Sequence, residues 1–111
     1  MSTTWTYICA SSELLPGEMR TGYDEVTEAA MVVFNLDGEL YALVDQCTHD
    51  DFELSAGVFR ADEGSVECVL HGARFDVRNG NALCAPAYTA AERLQAKREN
   101  DGIWARDSRE D

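Results

Sequence analysis

Four side chains in this sequence have the type and spacing to hold a metal centre. Cys47-Thr48-His49 offers a thiol and an imidazole, and Cys68-Val69-Leu70-His71 offers a second such pair after a gap of 18 residues. His49 and His71 are the only histidines of the chain. Neither pair completes a four-ligand site alone, but together they form a Cys₂His₂ donor set. A [2Fe–2S] cluster can use that set asymmetrically, with Cys47 and Cys68 on one iron and His49 and His71 on the other. Two ferric ions, two sulfides and two thiolates then sum to zero charge with neutral imidazoles. An added electron meets less opposition than in an all-thiolate cluster, and the potential rises to about −150 to +300 mV. The electron belongs on the histidine-bound iron, where the ligands carry less negative charge. Imidazole edges at the surface would give it an exit.

Zinc is the rival occupant, because Cys₂His₂ is also a zinc ligand set. Zinc sites usually take cysteines from C-x₂₋₄-C and histidines from H-x₃₋₅-H, whereas each loop here mixes the two types. Packed cysteines with incidental histidines form a third reading, disfavoured because every histidine falls in the pattern. Cys9 and Cys84 stand outside it and are expected to fill the core. Asp50, Asp51 and Glu53 follow His49, either as a docking face for a basic partner or as an ordinary solvated loop. Phe52 is expected to pack beneath the site.

The two loops need rigid elements to position them, and short strands with turns are what the rest of the chain offers. Trp5, Tyr7 and Cys9 alternate with Thr6 and Ile8 in a first strand, and Leu15-Pro16-Gly17-Glu18 turns the chain. Met31 to Phe34 and Leu40 to Val44 flank Asp37-Gly38, a strong hairpin signal. Phe75-Asp76-Val77 leading into Asn79-Gly80 predicts a second hairpin. Ala90 to Arg98 has helix-forming composition. Yet Leu94, Ala96 and Arg98 alternate with Gln95 and Lys97, and Asn100-Asp101-Gly102 precedes Ile103-Trp104-Ala105. A final hairpin is therefore predicted there. Trp5, Trp104 and Tyr41 are expected in the core, and Asp107 to Asp111 are expected to fray. The whole predicts an all-β sandwich or small barrel.

Composition bounds the function. The 111 residues, 45% of them hydrophobic, fit one domain over 1–111. The longest apolar run, Ala29 to Phe34, is far shorter than the roughly 20 residues of a membrane span. Met1 to Ser12 hold no Lys or Arg and no long apolar stretch, which argues against a signal peptide. A cytoplasmic location follows as an expectation, and reduced thiols with it. Nine basic against 21 acidic residues give a net charge of −12. That charge repels nucleic acid and anionic membrane. It suits docking on a basic protein patch, or simply keeps the chain soluble. With both histidines used, no His₂-carboxylate iron site remains, so a carrier is expected and not an enzyme.

Cys47-Thr48-His49 and Cys68-Val69-Leu70-His71-Gly72, with Arg74-Phe75-Asp76 after them, resemble the Rieske-type ferredoxins. The resemblance spans nearly the whole chain, from the Leu15-Pro16-Gly17-Glu18 turn to Asn100-Asp101-Gly102. It is strongest toward the small ferredoxins of bacterial aromatic-ring-hydroxylating dioxygenase systems. It implies an all-β Rieske-type β-sandwich with a small cluster-binding subdomain, about residues 44–77, inserted between strands. It also implies one [2Fe–2S] cluster per chain on Cys47, His49, Cys68 and His71. The implied role is one-electron transport from a flavin-containing, NAD(P)H-dependent ferredoxin reductase to a terminal Rieske oxygenase in aromatic hydrocarbon catabolism. The alternatives are a Rieske subunit of another reductase system and a structural zinc-binding module. Nitrite reductase small subunits share the fold but typically lack the ligands. High-potential members carry a disulfide cysteine in each ligand loop, where this chain has Phe52 and Leu70, and a serine where it has Ala73. Fewer hydrogen bonds to sulfur predict a potential at the low end of the range.

Overall fold

Alternation along one apolar strand builds two cores at once. In β3 (Ala29–Leu36), Val32, Phe34 and Leu36 point to one side while Met31 and Val33 point to the other, and all five are buried. The computed structural model describes residues 5–25, 27–46, 53–68, 72–84 and 90–107, with the backbone alone at 84. The neighbours of β3 are β2 (Met19–Asp24) and β4 (Glu39–Val44), both antiparallel to it. The sheet continues through β9 (Arg93–Glu99) and β10 (Gly102–Arg106) to β1 (Thr6–Ala10), giving the order β1-β10-β9-β4-β3-β2. Its two edges curl together, and a Cβ on Gly22 of β2 would collide with Ile8 of β1. Inside the curl lie Cys9, Leu14, Met31, Val33, Ala42, Leu94, Ile103 and Ala105.

A second antiparallel sheet covers the opposite face. It comprises β5 (Val58–Arg60), β6 (Ser65–Glu67), β7 (Arg74–Asp76) and β8 (Ala82–Cys84), in that order. Val66, Phe75 and Val77 from this unit pack on Val32, Phe34 and Leu43 of the larger sheet. At about 25 cal/mol per Å² of apolar surface, burying side chains of this size contributes roughly 1.5–3 kcal/mol each.

The expected hairpins form where the turn chemistry placed them. Asp37 and Gly38, at φ 53° and 95°, make the two-residue turn between Leu36 and Glu39. Asn79-Gly80 lies in the connection between β7 and β8, with Gly80 at φ 81°. The ambiguous segment is strand: Arg93 to Glu99 pairs with Gly102 to Arg106 around Asn100 and Asp101, both at positive φ. Helix propensity loses here because Leu94 must fill the curled interior while Arg93 and Gln95 stay exposed.

Three expectations need correction. A register shift between Tyr7 and Cys9 breaks the simple alternation of the first strand, so Cys9 turns inward opposite Ile103 while Tyr7 stays exposed opposite Trp104. Trp5 and Trp104 are half-buried on the outside instead of in the core. Ile103 and Ala105 take the interior positions of β10, which leaves Trp104 on the other face, edge-on to Tyr7 with centroids 5.2 Å apart. Trp5 sits under cations, with Lys97 Nζ 4.3 Å from its ring centroid. Tyr41 is half-buried against the inter-sheet core. Asp107 does not fray: it is 4% exposed, and its N–H donates to Asp24 Oδ2 at 3.5 Å.

Candidate functional site

The segment carrying the second Cys–His pair is the connection between β6 and β7. Glu67 pairs with Arg74 at the end of this hairpin. One step beyond, the Cys68 N–H donates to the Ala73 carbonyl at 2.7 Å, and the Gly72 N–H donates back to the Cys68 carbonyl at 3.0 Å. Gly72 has φ +75°, and a Cβ there would meet nothing nearer than Glu67 Oε2 at 3.9 Å. The glycine is therefore required by backbone conformation, not by space, to return the chain directly after His71. Cys68 is fully buried and forms no disulfide.

The segment carrying the first pair leaves the end of β4 and returns through a 3₁₀ turn at Leu54–Ala56. Its entrance is fixed by the Asp45 N–H, which donates to the Ala30 carbonyl of β3 at 2.9 Å. Its exit is fixed to its entrance by the Asp45 carboxylate. Oδ1 accepts the Ser55 N–H at 2.8 Å and Oδ2 accepts the Ser55 hydroxyl at 2.6 Å. Leu54, fully buried, shares the inter-sheet core with Cys68, Ala73 and Phe75. The next residue after the 3₁₀ turn, Gly57, runs against the backbone of Glu67 so closely that a Cβ would collide with its carbonyl oxygen. The exit of the first loop is thus packed against the strand that delivers Cys68.

Cys47, His49 and His71 lie outside the described residues, as do Asp50, Asp51, Phe52 and Leu70. Cys68 is the predicted ligand that the structure describes, and its surroundings fit an iron–sulfur centre. The thiol is fully buried and shares a core cluster with Leu54, Ala73 and Phe75. Iron held by that sulfur would sit against an apolar wall that keeps water away. Outside this wall Glu67 carries the charge balance, with Arg60 Nε at 2.9 Å and Arg74 Nε at 4.0 Å from its Oε1. Hydrogen bonding to Glu67 raises the pKa of Arg60 above its already high ordinary value, so the guanidinium stays charged. Reading the residues in order misses Asp45, Ser55 and Gly57. A carboxylate and a serine ten positions apart carry no local signature, and their bond exists only once the chain folds back.

The chain matches the Rieske [2Fe-2S] domain over residues 4–96. It is 41% identical over 98 residues to the ferredoxin component of biphenyl 2,3-dioxygenase from Rhodococcus jostii (strain RHA1), covering 88% of each chain. It is 36% identical to the ferredoxin component of the naphthalene 1,2-dioxygenase system of Pseudomonas putida, covering 90% of this chain and 92% of that one. Among solved structures, the ferredoxin of carbazole 1,9a-dioxygenase from Nocardioides aromaticivorans IC177 superposes with a TM-score of 0.85. Its identity is 25%, with 93% of this chain and 97% of that one covered. A ferredoxin solved in complex with the oxygenase of carbazole 1,9a-dioxygenase gives 0.84, at 26% identity and 94% coverage of both. The chain belongs to the Rieske [2Fe–2S] domain family. Within that family it is a ferredoxin, an electron carrier with one [2Fe–2S] cluster.

Proposed function

We propose that Cys47 and Cys68 hold one iron of the cluster and His49 and His71 the other. On this reading the chain carries single electrons from a flavin-containing, NAD(P)H-dependent reductase to the terminal Rieske oxygenase of an aromatic-ring dioxygenase system. The observation that carries the assignment is the burial of Cys68 beside Leu54, because it sets the base of one Cys–His loop against the exit of the other. The cluster supplies reversible one-electron storage when bound. The protein supplies the rest. Leu54, Ala73 and Phe75 exclude water from the Cys68 sulfur, and the Asp45–Ser55 bonds close the base of the first loop. The direct pairing of β4 with β9, Leu43 opposite Arg93, makes the chain between them an insertion. That supports a cluster-binding unit of about residues 44–77 within a single Rieske domain. The complex of an oxygenase with its ferredoxin in carbazole 1,9a-dioxygenase supports the same kind of partner here. None of the helices described is long and apolar enough to cross a membrane. The cytoplasm, where thiols stay reduced, is the proposed location.

Electron paramagnetic resonance of the dithionite-reduced protein tests the ligand set, since an averaged g below two marks mixed thiolate–imidazole ligation. Cys47→Ser, Cys68→Ser, His49→Ala and His71→Ala should each abolish that signal. A colourless protein containing zinc and no iron would replace this reading with the zinc module. Failure of the reduced protein to support any reductase–oxygenase pair of its host would leave the carrier role but remove this oxygenase system.

A further inference from the structure

The Asp45 carboxylate is fully engaged inside the protein, and its engagement is directed at one segment. It is 6% exposed, and both of its oxygens accept bonds from a single residue, Ser55, at 2.8 Å and 2.6 Å. Hydrogen bonds to an ionised acceptor are shorter and roughly twice as strong as neutral ones. Here two of them join the residues flanking the stretch that contains Cys47 and His49. The entrance side is tied to β3 through the Asp45 N–H and the Ala30 carbonyl. The exit side is tied to the core through Leu54, and to Glu67 through the close approach of Gly57. Each bond therefore has a rigid element behind it.

We infer that Asp45 and Ser55 are positioning residues for the cluster, a clasp that ties together the two described flanks of the segment carrying Cys47 and His49. The inference rests on Cys47 and His49 being ligands. With the clasp intact, separating these two flanks requires breaking both bonds and exposing a buried carboxylate. With the clasp cut, residues 45 and 55 keep their separate anchors but are no longer held to each other. The occupant then escapes by local opening without unfolding of the sheets. The remaining contact of the Ser55 hydroxyl, to Glu53 Oε2 at 3.5 Å, is too long to replace Asp45.

The experiment compares holoproteins by loss of visible absorbance to an iron chelator under anaerobic conditions. Ser55→Ala and Asp45→Asn should lose the cluster about ten times faster than wild type or more. Ser55→Thr, which keeps the hydroxyl, should restore slow release. Asn35→Ala is the control for general stability. That side chain also makes two bonds, donating to the Leu14 carbonyl and accepting the Gly38 N–H, both at 2.8 Å and away from the loops. It should lower the thermal midpoint yet release the cluster at the wild-type rate. Wild-type release rates in both clasp variants, or equal acceleration in Asn35→Ala, overturn the inference. Cys47→Ser is measured alongside. If it keeps the cluster spectrum unchanged, the ligand assignment fails instead, whatever the clasp variants do.

Discussion

Gly57 and the carbonyl oxygen of Glu67 stand so close that no side chain fits between them. This contact sets the exit of the segment carrying Cys47 and His49 against β6, the strand that leads into Cys68. The obstructing atom is backbone, so it cannot swing aside as a side chain would. Gly57→Ala should cost about 1–3 kcal/mol through overpacking. That corresponds to a fall of roughly 10 °C in thermal midpoint for a domain of this size. Gly38→Ala is the contrast, because nothing lies within 4 Å of its Cβ and only the positive φ of 95° opposes it. It should cost about 1 kcal/mol. Calorimetry of the two holoproteins checks the order; a smaller loss at Gly57 would contradict the packing described.

Cys9 links stability to alkaline pH. Burial pushes its thiol above the ordinary value of 9.0, with Arg20 opposing and Glu13 assisting that rise. The folded chain therefore favours the protonated thiol more than the unfolded chain does. This contribution is fully present below the unfolded pKa and is lost as pH rises through the folded one. Urea midpoints should fall above about pH 9 in wild type, beyond any fall shared with Cys9→Ala. Parallel pH profiles for the two proteins would remove Cys9 as the cause.

Ala73 bears on the potential. It is fully buried, shares a core cluster with Cys68, and its carbonyl accepts the Cys68 N–H at 2.7 Å. High-potential Rieske members carry a serine at the matching position, and that resemblance implies a hydroxyl here would offer a hydrogen bond stabilising the more negative, reduced cluster. Ala73→Ser should therefore raise the midpoint in protein-film voltammetry, with wild type near the low end of the Rieske range. A wild-type midpoint near the top of that range, or no rise in the variant, would contradict this assignment.

A net charge of −12 should make partner encounters depend on salt. The Debye length shrinks from about 30 Å at 0.01 M to about 8 Å at 0.15 M ionic strength. Over that interval the second-order rate of electron transfer to a basic partner should fall roughly tenfold or more. Stopped-flow mixing with a candidate reductase or oxygenase measures it. A flat profile would assign the acidity to solubility alone.

The elements that local patterns could announce were legible beforehand. Asp37-Gly38 and Asn79-Gly80 marked their hairpins, and alternation at Leu94 and Ala96 outweighed the helical composition around them. The first strand shows where such reading stops. The register shift between Tyr7 and Cys9 depends on a partner strand nearly a hundred residues away, and it decides which of the two side chains is buried. The outward placement of Trp5 and Trp104 escaped prediction for a related reason. Large aromatic area favours burial in general, but Ile103 and Ala105 had already claimed the inner face of β10.

By itself, the order of residues supplied the candidate donor set and the chemistry it could support. Two thiols and two imidazoles, one of each per loop, are the set we propose for a mixed-ligand iron–sulfur centre, because ligand type and charge are properties of side chains and not of conformation. Tertiary structure decided what holds those loops. Asp45 meets Ser55, Leu54 meets Cys68, and Gly57 meets Glu67 only after two sheets have packed. Hydrogen bonds and close contacts of that kind depend on distances in space, which separation along the chain does not specify.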